Sequence, residues 1–389
     1  MKTIARLVMV VHPMKLTSSV YTSPLGWSVP LSPSMDSHNT LILVFGAPEF
    51  INDPKALNDL KSTYPLSHIV GCSTAGEILG SKLYDHSLVA TIAQFEKTNV
   101  IVATAVVNKS QDSFNAGRTL ARALKRPGLS AVLLFSEGSH VNGSELVNGC
   151  NLPGNVVITG GLAGDGDRFQ RTWVINEGKP QTDMVVAVGL CSSQLSVAYG
   201  SRSGWDPSGI EWSVTRSQDN VLYELNGQPA LTLYKSVLAA AAEQLPASAL
   251  RFPLALRASA NDNTPIIRTI LAIDEPSQSM VFAGDIPQGY LAQVMTANLD
   301  KLITSAAEAT AMTRQMLHAD EAALCVAVSC VGRRLVLGDR SPQELEAVLN
   351  AIPGNPHQIG FYSYGEISPS GGFCDLHNQT MTITVFQEN

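Results

Sequence analysis

The sequence is poor in charged and aromatic residues. Of its 389 residues, 15% are charged and 6% aromatic, whereas 45% are apolar. The pairs Lys125-Arg126 and Arg333-Arg334 stand alone, so we interpret them as solvated turns, and no basic cluster offsets the net charge of -7. Because nucleic acids and anionic membranes bind basic surfaces, the composition argues against both as partners. A chain of this length suits two soluble domains.

The sequence also lacks the spacings that mark metal sites, disulfide frameworks and membrane spans. Its six cysteines include no C-x-x-C pair, and its eight histidines include no H-x-x-x-H or H-E-x-x-H pair. A zinc site is therefore not expected, and the apolar surroundings of the cysteines favour free thiols and a cytoplasmic location. The apolar run at residues 7 to 11 is far shorter than the about 20 residues of a membrane span. We interpret residues 1–39 as a first strand followed by a loop rich in serine and proline.

What the sequence does contain is a string of small residues that recurs. GCSTAGEI at residues 71–78 and GFYSYGEI at residues 360–367 share the pattern G-x4-G-E-I. Each string is preceded by a strand-like run and a helix-like stretch, and each is followed by a histidine and a further strand. Because the flanks match in the same order, we predict an internal duplication in which His86 and His377 occupy equivalent places.

A weaker third copy lies between these two. Residues 131–138 have the pattern of a strand, residues 142–150 that of a helix, and the string GGLAGD at residues 160–165 again ends in an acid. Strands that alternate with short helices predict an α/β (mixed α+β) fold. We expect two domains of mixed β-sheets flanked by helices, built from repeated units of strand, helix, strand, glycine-rich turn and strand.

The later part of the chain sets the expected domain boundary. A strand followed by an alanine-rich helix is predicted over residues 220–245, so we place the boundary between residues 218 and 219. We also expect a hairpin from residues 268–274 and 279–286, and a long helix over residues 288–318.

The strings first suggest a phosphate-binding loop, because their two glycines have its spacing. In such a loop Lys and then Ser or Thr follow the second glycine, whereas Glu77 and Glu366 stand there in this sequence. A carboxylate at that place would repel a polyphosphate. We therefore set nucleotide hydrolysis aside.

A hydrolase is the second interpretation, because the small residues around Ser73 resemble a nucleophile elbow. Glycines stand where the helix after the elbow would run, and Tyr362 takes the place of Ser73 in the last string. Cys72 would need a neighbouring base such as His68 or His86. Ser73 and Cys72 remain candidate nucleophiles of an alternative function, and our main expectation is a protein that is not an enzyme.

The third interpretation is a cup for a small ligand, in which glycines let the backbone approach a polar molecule closely. The strings could also simply turn the chain while their acids cap backbone groups. If they bind a ligand, the candidate residues are the small, hydroxyl-bearing, aromatic and acidic members of the strings. They are Gly71, Cys72, Ser73, Thr74, Gly76, Glu77, Gly161, Gly164, Asp165, Tyr362, Tyr364, Gly365 and Glu366.

These motifs resemble the FIST proteins, bacterial sensory modules with an amino-terminal and a carboxy-terminal FIST domain. GCSTAGEI and VVITGGLAGDGDRF resemble signatures of the first domain, and IPQG, GFYSYGEISP and LHNQTMTITVF resemble those of the second. The resemblance implies a FIST N-type domain at 40–218 and a FIST C-type domain at 219–389. It also implies a sensor of a small ligand, with amino acids among the proposed ligands, that signals to a separate protein.

Stand-alone FIST proteins of this length resemble the nitric-oxide sensors called NosP. That resemblance implies haem b as cofactor, nitric oxide as signal, and as partner a separate histidine kinase, or a diguanylate cyclase or phosphodiesterase of a cyclic-di-GMP pathway; a homodimer is compatible with it. One neutral imidazole suffices to hold haem iron. We expect His377 to be the iron ligand, because neighbours can orient an imidazole beside a strand end, with His86, His140 and His318 as alternatives. Sensing of an amino-acid-like metabolite without haem is the alternative function.

Overall fold

The computed structural model of the chain describes residues 14–152, 154–262, 265–314, 317, 323–354, 356–370 and 373–389. The strand expected at residues 7 to 11 and the candidate iron ligand His318 lie outside these residues. Within the part of the chain that the structure describes, no helix has both the length and the apolar character needed to cross a membrane.

The first repeated unit contains β1 (Met14–Thr22), β2 (Gly26–Trp27), β3 (Thr40–Gly46), α1 (Lys55–Thr63), β4 (His68–Ser73), β5 (Glu77–Leu79), β6 (Lys82–Tyr84) and β7 (Leu88–Phe95). Strands β3 and β4 are parallel, β7 is antiparallel to β3, and β1 lies beside β7. Most of β1 falls in the segment expected to be a loop. Its register with β7 runs from Met14 to Tyr21, and this pairing outweighs the turn preference of its serines.

The second unit contains β8 (Asn99–Val106), α2 (Ser113–Leu124), β9 (Leu129–Ser136), α3 (Gly143–Gly149), β10 (Val157–Leu162), β11 (Val174–Asn176), β12 (Lys179–Gln181) and β13 (Met184–Cys191). It repeats the arrangement of the first unit. Strands β9 and β10 are parallel, β13 is antiparallel to β9, and β8 lies beside β13.

The third unit begins with β14 (Leu195–Arg202) and is interrupted by an inserted sheet. The insert contains β15 (Trp205–Gln218), β16 (Val221–Leu225), β17 (Gln228–Pro229), α4 (Ala230–Leu238), β18 (Leu254–Arg257), β19 (Ile266–Arg268), β20 (Ile270–Asp274), β21 (Ser279–Phe282) and β22 (Leu291–Ala297). Thr269 alone joins β19 to β20, the two ends of the sheet order, so the sheet folds back on itself. The hairpin of β20 and β21 is confirmed. The predicted domain boundary lies in the turn between the paired strands β15 and β16.

The rest of the third unit contains α5 (Leu299–Ala311), β23 (Leu324–Cys330), α6 (Val331–Leu337), α7 (Ser341–Ala351), β24 (His357–Ser363), β25 (Gly365–Ser370), β26 (Phe373–His377) and β27 (Met381–Glu388). Strands β23 and β24 are parallel, β27 is antiparallel to β23, and β14 lies beside β27. The helix expected over residues 288–318 is wrong in its first third, which forms β22. Asn298 then caps α5, because its side chain accepts a hydrogen bond from Lys301 N at 3.2 Å.

Each unit forms one sheet but gives its short hairpin to another unit. Strands β5 and β6 extend the third sheet beside β24, β25 and β26 extend the second sheet beside β10, and β11 and β12 extend the first sheet beside β4. The inner faces of the three sheets share one apolar core, in which Phe45, Phe135 and Phe361 have ring centroids 4.6 to 6.2 Å apart. The α/β fold of repeated units with mixed sheets is thus confirmed, and its three sheets form a closed ring.

Candidate functional site

The first glycine of each string is required by strand packing. Gly71, Gly160 and Gly360 lie in β4, β10 and β24, each opposite the neighbouring parallel strand. A Cβ on any of the three would overlap a backbone oxygen of that strand. These glycines therefore allow two backbones to approach each other, and the same steric reason applies in all three units.

The three strings meet at one place and bond to one another through their backbones. The bonds join Ala75 N to Tyr362 O (2.8 Å), Gly164 N to Ser73 O (3.0 Å) and Tyr364 N to Leu162 O (3.2 Å). We call the residues 71–77, 160–165 and 360–366 the hub. Every hub residue is buried, and the candidate ligand-binding residues of the three strings come together and contact one another. Ala75 is the hub residue that reaches a described cavity, a space of about 610 Å³ beside α6.

Glu77 ties the first string to the strand that follows it. Its carboxylate accepts hydrogen bonds from Thr74 Oγ1 at 2.5 Å and from Ser87 Oγ at 2.7 Å and Ser87 N at 3.3 Å. Burial raises the pKa of Glu77 to about 8, although these bonds lower it. The side chain is thus fully engaged within the protein.

Glu366 makes the same set of bonds in the third unit. It accepts from Ser363 Oγ at 2.7 Å, Thr380 Oγ1 at 2.9 Å and Thr380 N at 3.0 Å. Burial raises its pKa to about 7. The two glutamates are therefore equivalent clamps between a string and the start of the last strand of its unit.

Asp165 has a different role, because it folds the loop that follows the second string. Its carboxylate accepts from the backbone N–H groups of Phe169, Gln170 and Arg171 at 2.9 to 3.0 Å, and the hydroxyl of Tyr364 donates to it. Strand register places Val174 opposite Cys72, as Glu77 lies opposite Phe361. In the second unit, Val174 thus occupies the place of the clamp glutamates. The sequence alignment that matched Asp165 to these glutamates, on the shared Gly-acid ending, is incorrect.

The predicted equivalence of His86 and His377 is wrong. His377 pairs with the acid of its string across β25 and β26, and in the first unit the residue in that place is Tyr84. His86 corresponds to Gln379, and both adopt a positive φ, of 51° and 62°, just before the last strand. An alignment of the two units on their histidines is therefore wrong by two residues. The shared turn conformation gives the correct alignment.

His377 fits poorly as an iron ligand. Its Nε2 donates to the carbonyl of Ser368 at 3.1 Å, and burial lowers the pKa of the imidazole. The side chain is therefore neutral but already engaged through Nε2, the nitrogen opposite the ring attachment. It lines a cavity of about 840 Å³ whose walls carry many polar groups, among them Asp375 and Asn378, and such walls suit the apolar face of a macrocycle poorly.

His86 fits no better. Its Nδ1 lies 2.6 Å from Glu49 Oε1 on the surface, where 84% of the imidazole is exposed. The carboxylate of Glu49 raises the pKa of His86 and so favours the protonated ring, which has no lone pair for iron. Among the described residues, no cluster of three or more His, Cys, Asp or Glu side chains is arranged to hold a metal ion.

His140 lies in a cavity of about 780 Å³ between the three-sheet core and the inserted sheet, which we call the cleft. The core contributes residues 108–111, 138–141 and 167–169, and the insert contributes residues 220–221, 244–247, 271–272 and 281. His140 Nδ1 lies 3.8 Å from Glu137 Oε2 and from Asp183 Oδ1, and its side chain is 60% exposed. Beside it, the Ser139 hydroxyl is buried and has no hydrogen-bond partner within the described part of the chain.

The cleft is linked to the hub through Phe169. Its ring stacks on Tyr364 with centroids 4.8 Å apart and planes inclined by 21°. Sequence reasoning identified His140 as a candidate but missed the rest of the cleft, because its residues are brought together from seven separate parts of the chain. The stretch GDGDRF, which contains Arg168 and Phe169, was the signal available to it.

The candidate nucleophiles are placed where a hydrolase could not use them. Ser73 is buried, and its Oγ accepts a hydrogen bond from Trp173 N at 3.1 Å. Cys72 is buried as well, and burial raises the pKa of its thiol well above the ordinary value, which disfavours the reactive thiolate. The geometry therefore gives the hydrolase alternative no support.

Comparison with known proteins identifies two family domains along the chain. Residues 40–228 match the FIST N domain family, and residues 230–369 match the FIST C domain family. A stretch of 195 residues is 24% identical to an uncharacterized protein of Methanocaldococcus jannaschii, covering 47% of this chain and 38% of that protein. The chain therefore belongs to the FIST family, whose domains are associated with signal transduction and small-ligand sensing.

Proposed function

We propose that the protein senses a small ligand that binds in the cleft. The observation that carries this proposal is the position of the cleft between two bodies of the fold. One wall belongs to loops of the three-sheet core and the other to the inserted sheet. A ligand that contacts both walls binds most tightly to the arrangement of core and insert in which it makes both sets of contacts. Binding therefore increases the population of that arrangement.

The hub gives such a signal a route through the core. Phe169 in the cleft wall stacks on Tyr364, whose hydroxyl donates to Asp165, and Asp165 holds the loop that carries Phe169. A ligand that moves Phe169 therefore changes contacts made by a residue of the hub. Because all three units meet at the hub, we propose that it spreads the change across the three sheets.

Mass spectrometry of the protein purified from bacterial cells tests this function. We expect a small molecule to be retained under native conditions and released on denaturation, because the cleft has the volume of a small-molecule site. Leu271→Gln, which changes an apolar wall of the cleft, should reduce the retained amount at least fivefold. Ile210→Gln, at a side chain 70% exposed elsewhere, is the matched control. Equal retention by both variants, or no retained molecule in the parent, would count against the cleft.

Haem b with nitric oxide as the signal is a second candidate, and the observation that favours it is His140 in the cleft. When bound, haem iron would supply the site at which nitric oxide is held. His140 would be the iron ligand, and Phe169, Leu245 and Leu271 would cover the ring with apolar surface. In this version His140 replaces His377 as the first choice of ligand.

Absorption spectra of protein expressed with a haem precursor test the second candidate. We expect a Soret band that shifts on addition of nitric oxide, that is lost in His140→Ala and that persists in His377→Ala. Absence of the band in the parent protein would contradict haem binding. A Soret band that is lost in His377→Ala and kept in His140→Ala would identify His377 as the iron ligand and place haem in the cavity beside β26. An amino-acid-like metabolite in the mass spectrum, with no Soret band, would support sensing without haem.

In both versions the output protein is proposed to be a separate histidine kinase, or a diguanylate cyclase or phosphodiesterase. Support for this part comes from the association of FIST domains with signal transduction.

A further inference from the structure

Two cationic side chains line the cleft without a carboxylate partner among the residues that the structure describes. Lys109 and Arg168 both belong to its core wall. Within the described residues, the ammonium of Lys109 makes no hydrogen bond or ion pair, and Arg168 uses only Nε, which donates to the carbonyl of Asp165 at 2.6 Å. The two terminal nitrogens of Arg168 thus retain their donors, and a guanidinium in this state binds carboxylate or phosphate oxygens in pairs.

The acids near the cleft leave these cations largely uncompensated. The carboxylate of Glu137 is buried and accepts from the backbone N–H groups of Ser139 and His140, at 2.9 and 2.7 Å. Asp183 lies on the far side of His140, with 3.8 Å between their nearest charged atoms. Asp167 is the one acid among the described residues that line the cleft itself. The lining therefore carries more positive than negative charge.

The remaining surface of the cleft is apolar apart from the imidazole of His140 and several amide and hydroxyl groups. Its apolar lining includes Phe169 of the core and Leu245, Leu271 and Val281 of the insert. Among the polar groups, the buried hydroxyl of Ser139 has no partner in the described residues, and a buried hydroxyl without a hydrogen bond is costly unless a ligand supplies one. A flat apolar body would cover this surface, and a hydrogen-bonding group on it would satisfy Ser139.

From these observations we infer that the ligand of the cleft is an organic anion with an aromatic or otherwise apolar body. Its charged group is bound by Lys109 and Arg168, and its body lies between Phe169 and the inserted sheet. This inference rests on the proposed function, because it assigns the ligand class of the same cleft. It does not depend on haem, although a porphyrin with carboxylate side chains belongs to the class.

Two dyes that share an apolar body and differ in charge test the ligand class. The probes are 8-anilinonaphthalene-1-sulfonate and its uncharged relative N-phenyl-1-naphthylamine, both of which fluoresce when bound to apolar surface. We expect one site with a lower dissociation constant for the sulfonate, and a preference that weakens as salt is added, since salt screens exposed charges.

Two double variants separate the contribution of the cleft cations from that of overall charge. In Lys109→Gln with Arg168→Gln, the affinity for the sulfonate should fall at least tenfold and the affinity for the uncharged dye by less than twofold. In the control, Lys179→Gln with Arg122→Gln, both affinities should stay within twofold, because these exposed cations line none of the described cavities. Thermal unfolding of all three proteins checks that they are folded.

The outcomes distinguish the ligand class from the site. If both dyes bind equally well, Leu271→Gln weakens the binding of both, and the Lys109→Gln and Arg168→Gln double variant weakens neither, the inference of an anionic ligand is overturned and the cleft remains a binding site. If neither dye binds, or if neither Leu271→Gln nor the cleft double variant changes the affinity for the dyes, the cleft is not the binding site. The proposed function then fails together with the inference. A preference for the sulfonate that is lost in Lys109→Gln with Arg168→Gln, and kept in the control double variant, supports both the anionic ligand and the cleft as its site.

Discussion

At the scale of single residues, the two clamps show what the acids of the strings do. Glu77 and Glu366 sit in equivalent places, and each accepts two hydroxyl groups and one backbone N–H from its own unit. The sequence allowed either a ligand-binding acid or a backbone cap, and the observed bonds are those of the cap. The sequence motif is the same for a ligand-binding acid and for a backbone cap, because only the groups around the folded carboxylate distinguish the two roles.

The raised pKa values of the clamps predict a dependence of stability on pH. The pKa of Glu77 is about 8 in the folded protein, against an ordinary value of 4.5, so the folded state holds a proton that the unfolded state has released. The free energy of unfolding should therefore fall as pH rises from about 4.5 to about 8, by up to about 1.4 kcal/mol per pH unit for this group. Glu77→Gln stays neutral at every pH and should remove this part of the slope.

Urea unfolding measured at pH 5.5 and at pH 8 tests the clamp. The difference between the two free energies should be smaller in Glu77→Gln than in the parent protein, and unchanged in Glu243→Gln, where the carboxylate is exposed. An unaltered pH difference in Glu77→Gln would show that the carboxyl of Glu77 does not hold a proton in the folded state.

At the scale of helices and strands, much of the fold could be predicted from the sequence. The strand, helix and strand of each unit follow from apolar runs and helix patterns, and the predicted units are present in all three copies. What failed depends on register and burial. The basic pair at Arg333 and Arg334 was interpreted as a solvated turn, yet Arg333 is fully buried and its Nη2 lies 2.7 Å from Glu344 Oε2. Its partner is on the next helix, which no local pattern reveals.

The candidate site was harder to predict than the fold for the same reason. The strings were recognised because each is continuous in sequence, whereas the cleft combines loops of the second unit with strands and connecting segments of the insert. Lys109 and Phe169 are 60 positions apart, and neither stands in a pattern that indicates the other.

The exchange of hairpins between sheets could not be predicted either, because a hairpin has the same sequence pattern whichever edge it joins.

At the scale of the whole molecule, the cyclic exchange of hairpins should make the three sheets unfold together. Each sheet contains a hairpin from another unit, so no unit can lose its structure without exposing an edge of its neighbours. Gly360→Ala tests this, because its Cβ would overlap the backbone oxygen of Ala327 and force β23 and β24 apart. We expect a loss of stability above about 3 kcal/mol, in the range of severe core disruptions. Gly46→Ala is the control, since its Cβ would meet only the side chain of Leu88, at 3.3 Å.

Hydrogen exchange shows whether the effect of Gly360→Ala spreads. The equivalent positions of Gly46 in the other two units are Ser136 and Ser329, so a Cβ is accommodated there and the control should exchange like the parent protein. In Gly360→Ala, amides of β4 and β10 should lose protection as much as those of β24, because the hub joins all three strings and the hairpins tie each sheet to the next. Faster exchange confined to the third sheet would mean that the units are stable separately, and the hub could then not carry a signal from the cleft to the other sheets.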